Sequence, residues 1–131
     1  MQSQAEANEA VLKAYCDAAL RGDAEAVIRT YSDDVVLHYF GRSPLSGEHH
    51  GKAAALDAMQ RMRELTSRTI LAIHDVLASA EHGVVMMAER WEREGRTLEL
   101  NRVFIYHLRD GQIAEAWAYD EDQRAVDEFW A

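Results

Sequence analysis

The sequence predicts a single α+β domain in which helices come first and an antiparallel sheet follows, with the helices gathered on one face of the sheet. Three observations support this prediction. The chain has 131 residues, which is enough for one domain with a real core and too few for two. Apolar residues in its first half recur at helical spacing, and from Arg68 onward they alternate with a period of two.

Three helices are predicted in the first half of the chain. Residues 5–20 are strong helix formers, and Gly22 ends this helix. Asp23 is suited to cap a short second helix over residues 24–30. A third helix is predicted over residues 52–64, where apolar side chains again fall on one face.

Strands are predicted in the segments between and after these helices. YSDDVVLHYF reads as a turn leading into a strand, and GRSPLSGEHHG, which holds the single proline, is expected to be the one long loop. TILAIHDVLAS and GVVMMAERWE begin a meander whose two-residue turns are Glu94-Gly95 and Asp110-Gly111. A helical turn capped by Asp122 is expected to finish the chain.

Composition excludes several classes of function. The chain has 14 Lys and Arg against 23 Asp and Glu, and the net charge of −9 disfavours nucleic acids and anionic membranes as partners. The start is polar and no apolar run reaches transmembrane length, so a cytoplasmic location is expected. Cys16 is the only cysteine and the six histidines lack metal-ligand spacing. We therefore expect no disulfide, no metal and no cofactor.

Counting outward from the two turns assigns side chains to faces of the sheet, because directly opposed residues share a face. The count from Asp110-Gly111 sets Asn101 opposite Asp120, and the count from Glu94-Gly95 sets Ala88 opposite Asn101. Both counts define the same predicted face: Val84, Met86, Ala88, Arg90, Glu99, Asn101, Val103, Ile105, Ala114, Ala116, Ala118 and Asp120. The other predicted face holds the larger side chains: Met87, Trp91, Leu98, Leu100, Phe104, Tyr106, Trp117 and Tyr119.

The alanine row predicts a cavity. If this row faces the helices, its small side chains leave empty space between helices and sheet, with Asn101, Asp120, Arg90 and Glu99 at the polar end. The alternative is that the alanines accept closely packed helices and that Asp120 only caps the strand end in solvent.

The larger face also needs a cover, because both faces are mostly apolar. Aromatic residues are enriched at protein interfaces. We therefore predict a homodimer packed through the outer face of the sheet, with Trp91, Phe104, Tyr106 and Trp117 in the interface.

Three segments carry a family resemblance: AYCDAALRGDAEAVIRTYSDDVVLHYF, GEHHGKAAALDAM and YHLRDGQIAEAW. In this order and spacing they resemble the nuclear transport factor 2-like superfamily, in its SnoaL-like and ketosteroid-isomerase-like branch. The resemblance implies a single SnoaL-like domain over residues 1–131, a cone-shaped α+β barrel in which a curved sheet wraps around three N-terminal helices and encloses a pocket. This fold hosts isomerases, aldol cyclases, epoxide hydrolases, dehydratases and non-catalytic binding proteins.

Carrying over the family's functional residues gives a mixed result. Tyr15 matches the ketosteroid-isomerase tyrosine that polarises the substrate carbonyl. Tyr39 stands in the place of that family's proton-shuttling aspartate, and Val103 in the place of its second acid. SnoaL-type polyketide cyclases have an aspartate directly after the last-strand tryptophan, whereas here Trp117 is followed by an alanine and Asp120 comes two residues later.

Asp120 is the candidate general base, because the edge of an apolar cavity raises the pKa of a carboxyl group. Asn101 would orient it, Tyr15 would donate to a developing oxyanion, and His50 would border the pocket mouth by resemblance. Each has a simpler reading: a strand-end Asp bonded to Asn101, a core tyrosine and a solvated loop histidine. The remaining pocket residues expected to contact substrate are Tyr39, Met86, Ala88, Arg90, Val103, Ile105, Ala116 and Ala118.

Three functions follow from these residues. The first is a cofactor-free acid–base enzyme, an isomerase, aldol-type cyclase or lyase, acting on a small apolar carbonyl-bearing or polycyclic metabolite. The second is a dimeric small-molecule-binding protein without catalysis. The third is an epoxide hydrolase of the limonene-epoxide type, in which Arg90, Glu99 and Asp120 would imitate the acid and arginine cluster of those enzymes.

Overall fold

The computed structural model describes residues 2–131 and confirms the α+β class, with four helices and a curved six-stranded sheet among these residues. The helices are α1 (Gln4–Arg21), α2 (Ala24–Arg29), α3 (Lys52–Leu65) and α4 (Gln123–Trp130). The strands are β1 (Tyr31–Tyr39), β2 (Gly47–His50), β3 (Ser67–Ala78), β4 (His82–Arg93), β5 (Arg96–Arg109) and β6 (Gln112–Asp120).

The sheet has the order β2-β1-β6-β5-β4-β3. Its neighbours pair antiparallel, with one exception: β1 runs parallel to β6. The segment expected to be one long loop contains β2, whose four residues pair with the end of β1. No apolar pattern marks this strand, because GEHH is polar and lies at the sheet edge, where pairing needs no apolar side chain.

Local signals explain where the helices begin and end. Ser3 and Glu6 form a reciprocal capping box at the start of α1, and Gly22 ends α1 with φ 71°. Asp23 and Asp122 cap α2 and α4 through their side chains, as predicted. Within residues 2–131, no helix combines the length and apolar character needed to span a membrane.

Both predicted hairpin turns are present, but only one of them keeps the simple register. Glu94-Gly95 and Asp110-Gly111 all have positive φ, as two-residue hairpin turns require. From the first turn, Ala88 opposes Asn101 and Met86 opposes Val103, as predicted. Beyond the second turn the register shifts between His107 and Leu108. Ile113 opposes Leu108 and Glu115 opposes His107, so Ala114 is an extra residue in a β-bulge.

The bulge reverses the predicted faces of β4 and β5 relative to β6. Ala116 opposes Tyr106, and Ala118 opposes Phe104. A count without a bulge instead pairs Ala116 with Ile105 and Ala118 with Val103. Asp120 opposes Arg102 instead of Asn101. The alanine row therefore shares the inner, helix-covered face with large side chains of β4 and β5: Met87, Trp91, Phe104 and Tyr106. The residues predicted beside the row lie on the outer face: Val84, Met86, Ala88, Arg90, Glu99, Asn101, Val103 and Ile105.

The predicted dimer interface is affected by the same reversal. Trp91, Phe104 and Tyr106 lie on the inner face, and of the predicted interface residues only Trp117 is on the outer face, where it stacks on His38. Homodimerisation stays a prediction, and its surface would have to be built from different side chains.

The core joins the inner face to the helices. Leu12 and Cys16 of α1 and Ala55 of α3 pack with Val85 and Tyr106 of the sheet. A second apolar cluster forms where α4 covers the sheet, and it contains Trp91, Val126, Phe129 and Trp130. A hollow remains between the helices and the inner face of the sheet, and it forms the site described below.

Gly83 tests the closeness of packing between α1 and β4. A Cβ at this position would lie 2.1 Å from Leu12 Cδ1 and 3.3 Å from Leu108 Cδ1. We expect Gly83→Ala to lower the free energy of unfolding by about 1–3 kcal/mol, because the added methyl overpacks the core. Urea unfolding measures this change. Leu12→Val removes the opposing atom, so the cost of the double variant should be smaller than the sum of the two single costs. Full additivity would contradict the proposed contact.

Candidate active site

A cavity of about 1390 Å³, partly open to solvent, lies between the helices and the inner face of the sheet. Its walls come from α1, α2, α3, α4 and all strands except β2. The apolar lining includes Met87, Phe104, Ala116 and Ala118. Such a mostly apolar hollow with a few convergent polar groups is typical of small-molecule sites.

The alanine row of β6 lies beside a cavity, in the position that the sequence predicted. Ala116 and Ala118 are buried, line the cavity, and are followed on the same face by Asp120. Because the alanine side chain is a single methyl group, β6 leaves space in the cavity that larger side chains would fill. The side chain of Asp120 is 6% exposed and lies at the cavity wall.

Glu89 is the central charged group of the inner face. It is 0% exposed and accepts hydrogen bonds from Arg68 Nε at 2.5 Å and Arg68 Nη2 at 3.0 Å. Trp91 Nε1 donates to the same carboxylate at 2.9 Å, and Arg102 Nη1 lies 3.6 Å from it. Burial by itself would raise the pKa of Glu89, but the charges of Arg68 and Arg102 and these hydrogen bonds outweigh it and lower the pKa. Glu89 is therefore an anion that two arginines hold in place.

Arg102 connects this anion to Asp120. Its Nε donates to Asp120 Oδ1 at 2.7 Å. Its guanidinium carbon lies 4.9 Å from the ring centroids of both Trp91 and Phe104, which fixes the plane of the group through cation–π contacts. The side chain of Arg102 is 8% exposed. Arg102 is thus immobilised between two carboxylates and two aromatic rings.

Burial raises the pKa of Asp120, and the charge and hydrogen bond of Arg102 oppose this rise without cancelling it. The negative charges of Glu89 and Asp127 act in the same direction as burial. Among the residues that the structure describes, none hydrogen-bonds to Oδ2 of Asp120. The carboxylate is therefore held by one oxygen and leaves the other available to a ligand in the cavity.

A group of tyrosines forms a second polar region of the same cavity. The hydroxyl groups of Tyr15 and Tyr31 share a short hydrogen bond, and the Tyr15 ring packs edge-on against Tyr31 and Tyr106. Tyr31 is buried and, within residues 2–131, Tyr15 is the hydrogen-bond partner of its hydroxyl. The hydroxyl of Tyr31 therefore donates its proton to the hydroxyl oxygen of Tyr15. The half-buried Tyr15 is then free to donate its own proton into the cavity. Burial raises the pKa of Tyr15, so the group is a neutral donor.

The structure brings together some of the predicted site residues and separates others. Asp120, Tyr15, Tyr39, Ala116 and Ala118 all line the cavity. The structure does not place the other predicted residues in the cavity. Asn101 is on the outer face, where its Oδ1 lies 3.3 Å from His74 Nε2. His50 is exposed and contacts Glu48. The bulge places the rest of the predicted lining on the outer face: Met86, Ala88, Arg90, Val103 and Ile105.

Arg68, Glu89 and Arg102 were missed by the sequence interpretation. The sequence pattern does indicate that these charges are internal. Glu89 shares a strand face with Met87 and Trp91, and Arg102 shares one with Phe104 and Tyr106. A charged residue in phase with buried apolar neighbours indicates an internal ion pair, because an unpaired charge is rarely tolerated there. The exposed pair of Arg90 and Glu99 lies on the opposite face and does not belong to the site.

These features define a small α+β protein with a partly open internal cavity and a buried acid–arginine network. Residues 12–116 match the SnoaL-like domain family, and the chain belongs to this family, in the SnoaL-like branch of the nuclear transport factor 2-like superfamily. No curated protein sequence matches the chain.

Solved structures show the same fold. A protein of unknown function with a cystatin-like fold from Xanthomonas campestris is 27% identical, with a TM-score of 0.88 over 95% of this chain and 98% of that chain. TerC, co-crystallized with polyporic acid, is 18% identical, with a TM-score of 0.82 over 94% and 97%. An LEH-like epoxide hydrolase from M. tuberculosis is 14% identical, with a TM-score of 0.72 over 95% and 90%.

The buried ion pairs make Glu89 a position where loss of charge is costly. We expect Glu89→Gln to lower the free energy of unfolding by about 3 kcal/mol at pH 7, because it leaves two guanidinium groups without their shared anion. The value is at the low end of the range because Arg68 is partly open to solvent. Urea unfolding at pH 7 measures the loss.

The matched control is Glu99→Gln, which removes the exposed partner of Arg90 and should cost less than about 1 kcal/mol. The sign of the pH dependence follows from the lowered pKa of Glu89. Its stabilisation is complete above the ordinary value of 4.5 and is lost as the pH falls through the lower folded-state value. The deficit of Glu89→Gln should therefore narrow below pH 4.5. Equal costs for the two variants at pH 7 would show that the network does not stabilise the fold.

Proposed function

We propose that the protein is a cofactor-free acid–base enzyme that moves protons next to a carbonyl group of a small, mostly apolar substrate. The observation that carries this proposal is the placement of Asp120. Its carboxylate lies in an apolar cavity, Arg102 holds one of its oxygens, and burial moves its pKa upward, toward the range useful for a general base.

The reaction begins when Asp120 takes a proton from the carbon beside the carbonyl. The electron pair of that C–H bond moves toward the carbonyl oxygen and forms an enolate. Tyr15 donates a hydrogen bond to this oxygen, where the negative charge develops. Tyr31 orients Tyr15 by occupying its acceptor side.

The fate of the enolate determines the type of reaction. Return of the proton to another carbon gives isomerisation, attack on a second carbonyl gives aldol-type cyclisation, and loss of a leaving group gives elimination. The apolar walls support each of these outcomes, because they exclude water and strengthen the electrostatic interactions of the charged groups. Membership of the SnoaL-like family is consistent with a cyclase or isomerase type of activity.

Epoxide hydrolysis is a second candidate, and one observation favours it: Arg102 contacts two carboxylates, Glu89 and Asp120. Opening an epoxide with water needs an acid for the epoxide oxygen and a base for the water. Glu89 is poorly suited to be that base, because Arg68 and Trp91 already engage its oxygens. The likeness to an LEH-like epoxide hydrolase supports the fold, and its identity of 14% carries no further argument.

Asp120→Asn tests the base. We expect the wild-type protein to accelerate exchange of the protons beside the carbonyl of 2-tetralone in D₂O, followed by NMR. Asp120→Asn should slow the catalysed exchange by at least about 100-fold, because an amide cannot accept the proton. In the wild type, exchange should fall as the pH is lowered, with a midpoint above the ordinary aspartate value of 3.8 because burial raises the pKa of Asp120.

Asp110→Asn is the matched control. It makes the same change of charge in the exposed turn at the other end of β6, where φ is 52° and asparagine is well tolerated. Its exchange rate should equal that of the wild type. Undiminished exchange by Asp120→Asn would refute the assignment of the base, and diol formation from styrene oxide without any exchange would favour the second candidate.

Tyr15→Phe tests the oxyanion donor. We expect at least about 10-fold slower exchange with little change in the pH midpoint, because the variant loses one hydrogen bond to the enolate and keeps Asp120. Tyr119→Phe, which removes a hydroxyl from an exposed outer-face tyrosine, is the control and should have no effect. A rate for Tyr15→Phe equal to that of the control would remove Tyr15 from the mechanism.

A further inference from the structure

The hydrogen-bonding groups of the cavity are unequally divided between donors and acceptors. Glu89 accepts bonds from Arg68 and Trp91 on Oε1 and from Arg68 on Oε2, so its acceptors are engaged. Asp120 has one oxygen occupied by Arg102. Two carboxylate acceptors remain available, the other oxygen of Asp120 and the exposed Asp57 of α3, and the other available charged and phenolic groups in the described part of the cavity are donors.

Arg68 is one of these donors, and it lies next to the buried Glu89. Its Nε and Nη2 bind Glu89, and no residue within the described range 2–131 hydrogen-bonds to its Nη1. Tyr15 and Tyr39 also line the cavity, and the hydroxyl of Tyr39 likewise has no hydrogen-bond partner in the described part of the chain. Arg68 lines the same cavity as the two phenols. Burial raises the pKa of both phenols, and the positive charge of Arg68 opposes this rise.

The ion pair between Arg68 and Glu89 has a defined direction. Glu89 is 0% exposed, whereas the side chain of Arg68 is 37% exposed and lines the cavity. The carboxylate of Glu89 is therefore buried, and the guanidinium group of Arg68 is the part of the pair that a ligand in the cavity can reach. A ligand that expels water from the cavity would leave the guanidinium edge without a partner unless the ligand itself supplies oxygen acceptors, and a charged partner compensates this cost best.

We propose that Arg68, together with Tyr15 and Tyr39, binds a delocalised oxyanion of the substrate, either a carboxylate or the enolate of an acidic enol. The substrate is then an apolar acid, whose ring or chain lies against Phe104 and the alanine row. This inference rests on the proposed function in taking the cavity as the substrate site, and it adds the chemical class that the site selects.

Two pairs of probes test it by equilibrium dialysis at pH 7.5. The first pair is naphthalene-2-carboxylate and the neutral naphthalene-2-carboxamide. The second is 2-hydroxy-1,4-naphthoquinone, an acidic enol, and its neutral 2-methoxy analogue. We expect the anion of at least one pair to bind the wild-type protein at least about tenfold more tightly than its neutral partner. The pair that shows the preference identifies the source of the oxyanion.

Arg68→Met should remove the preference, and Arg68→Lys should keep part of it, because lysine retains the charge without the planar fork. Arg68→Lys also guards against a folding defect in the methionine variant. The control is Arg90→Met, an arginine of the outer face, which should bind the probes like the wild type. The net charge of −9 disfavours unspecific adsorption of anions, so a preference for them points to a local cation.

Equal binding of anion and neutral probe in both pairs, absence of binding by all four, or a preference that survives in Arg68→Met would each overturn the inference. Asp120→Asn separates it from the proposed function. The preference for anions should persist in that variant, because Arg68 and Glu89 are unchanged. If the preference depends on Arg68 while Asp120→Asn exchanges protons like the wild type, the acid–base mechanism falls and the anion site stands.

Discussion

A carboxylate with no access to solvent determines the arrangement of the whole inner face. Glu89 is stable as an anion only because Arg68 and Arg102 converge on it. The two arginines belong to β3 and β5, the strands on either side of Glu89. Arg102 then fixes Asp120 on the last strand. The four adjacent strands β3, β4, β5 and β6 are thus linked by ion pairs along one wall of a mostly apolar cavity. Buried ion pairs contribute little net stability, but they penalise every arrangement that separates them.

Much of the fold was predictable because its signals are local. Capping residues marked the helices, two glycine turns marked the hairpins, and the change of period from helical to alternating separated helices from sheet. The parallel pairing of β1 with β6 and the short edge strand β2 were not predictable in this way. Both depend on contacts between segments far apart in sequence, and GEHH has no apolar pattern that would indicate a strand.

The site was predicted in part, and one residue explains most of the errors. The hollow beside the alanine row, Asp120 and Tyr15 were inferred correctly in position, because alanine alternation and the amphipathic helix are robust signals. The partners across the sheet were wrong because Ala114 forms a bulge, which shifts every later pairing in β6 by one residue. Turn residues alone do not reveal a bulge. The internal charges at Glu89 and Arg102 would have revealed it, because a simple count places them on the face opposite to Asp120.

Ala114 has a consequence for comparing this chain with its relatives. A homologue with one residue fewer between the hairpin turn and the alanine row would have a regular strand and the same cavity wall. In an alignment without a gap at this point, residues that face the cavity in one protein would be matched with residues that face outward in the other. Functional positions in this family are therefore better transferred from superposed three-dimensional structures than from ungapped sequence alignments.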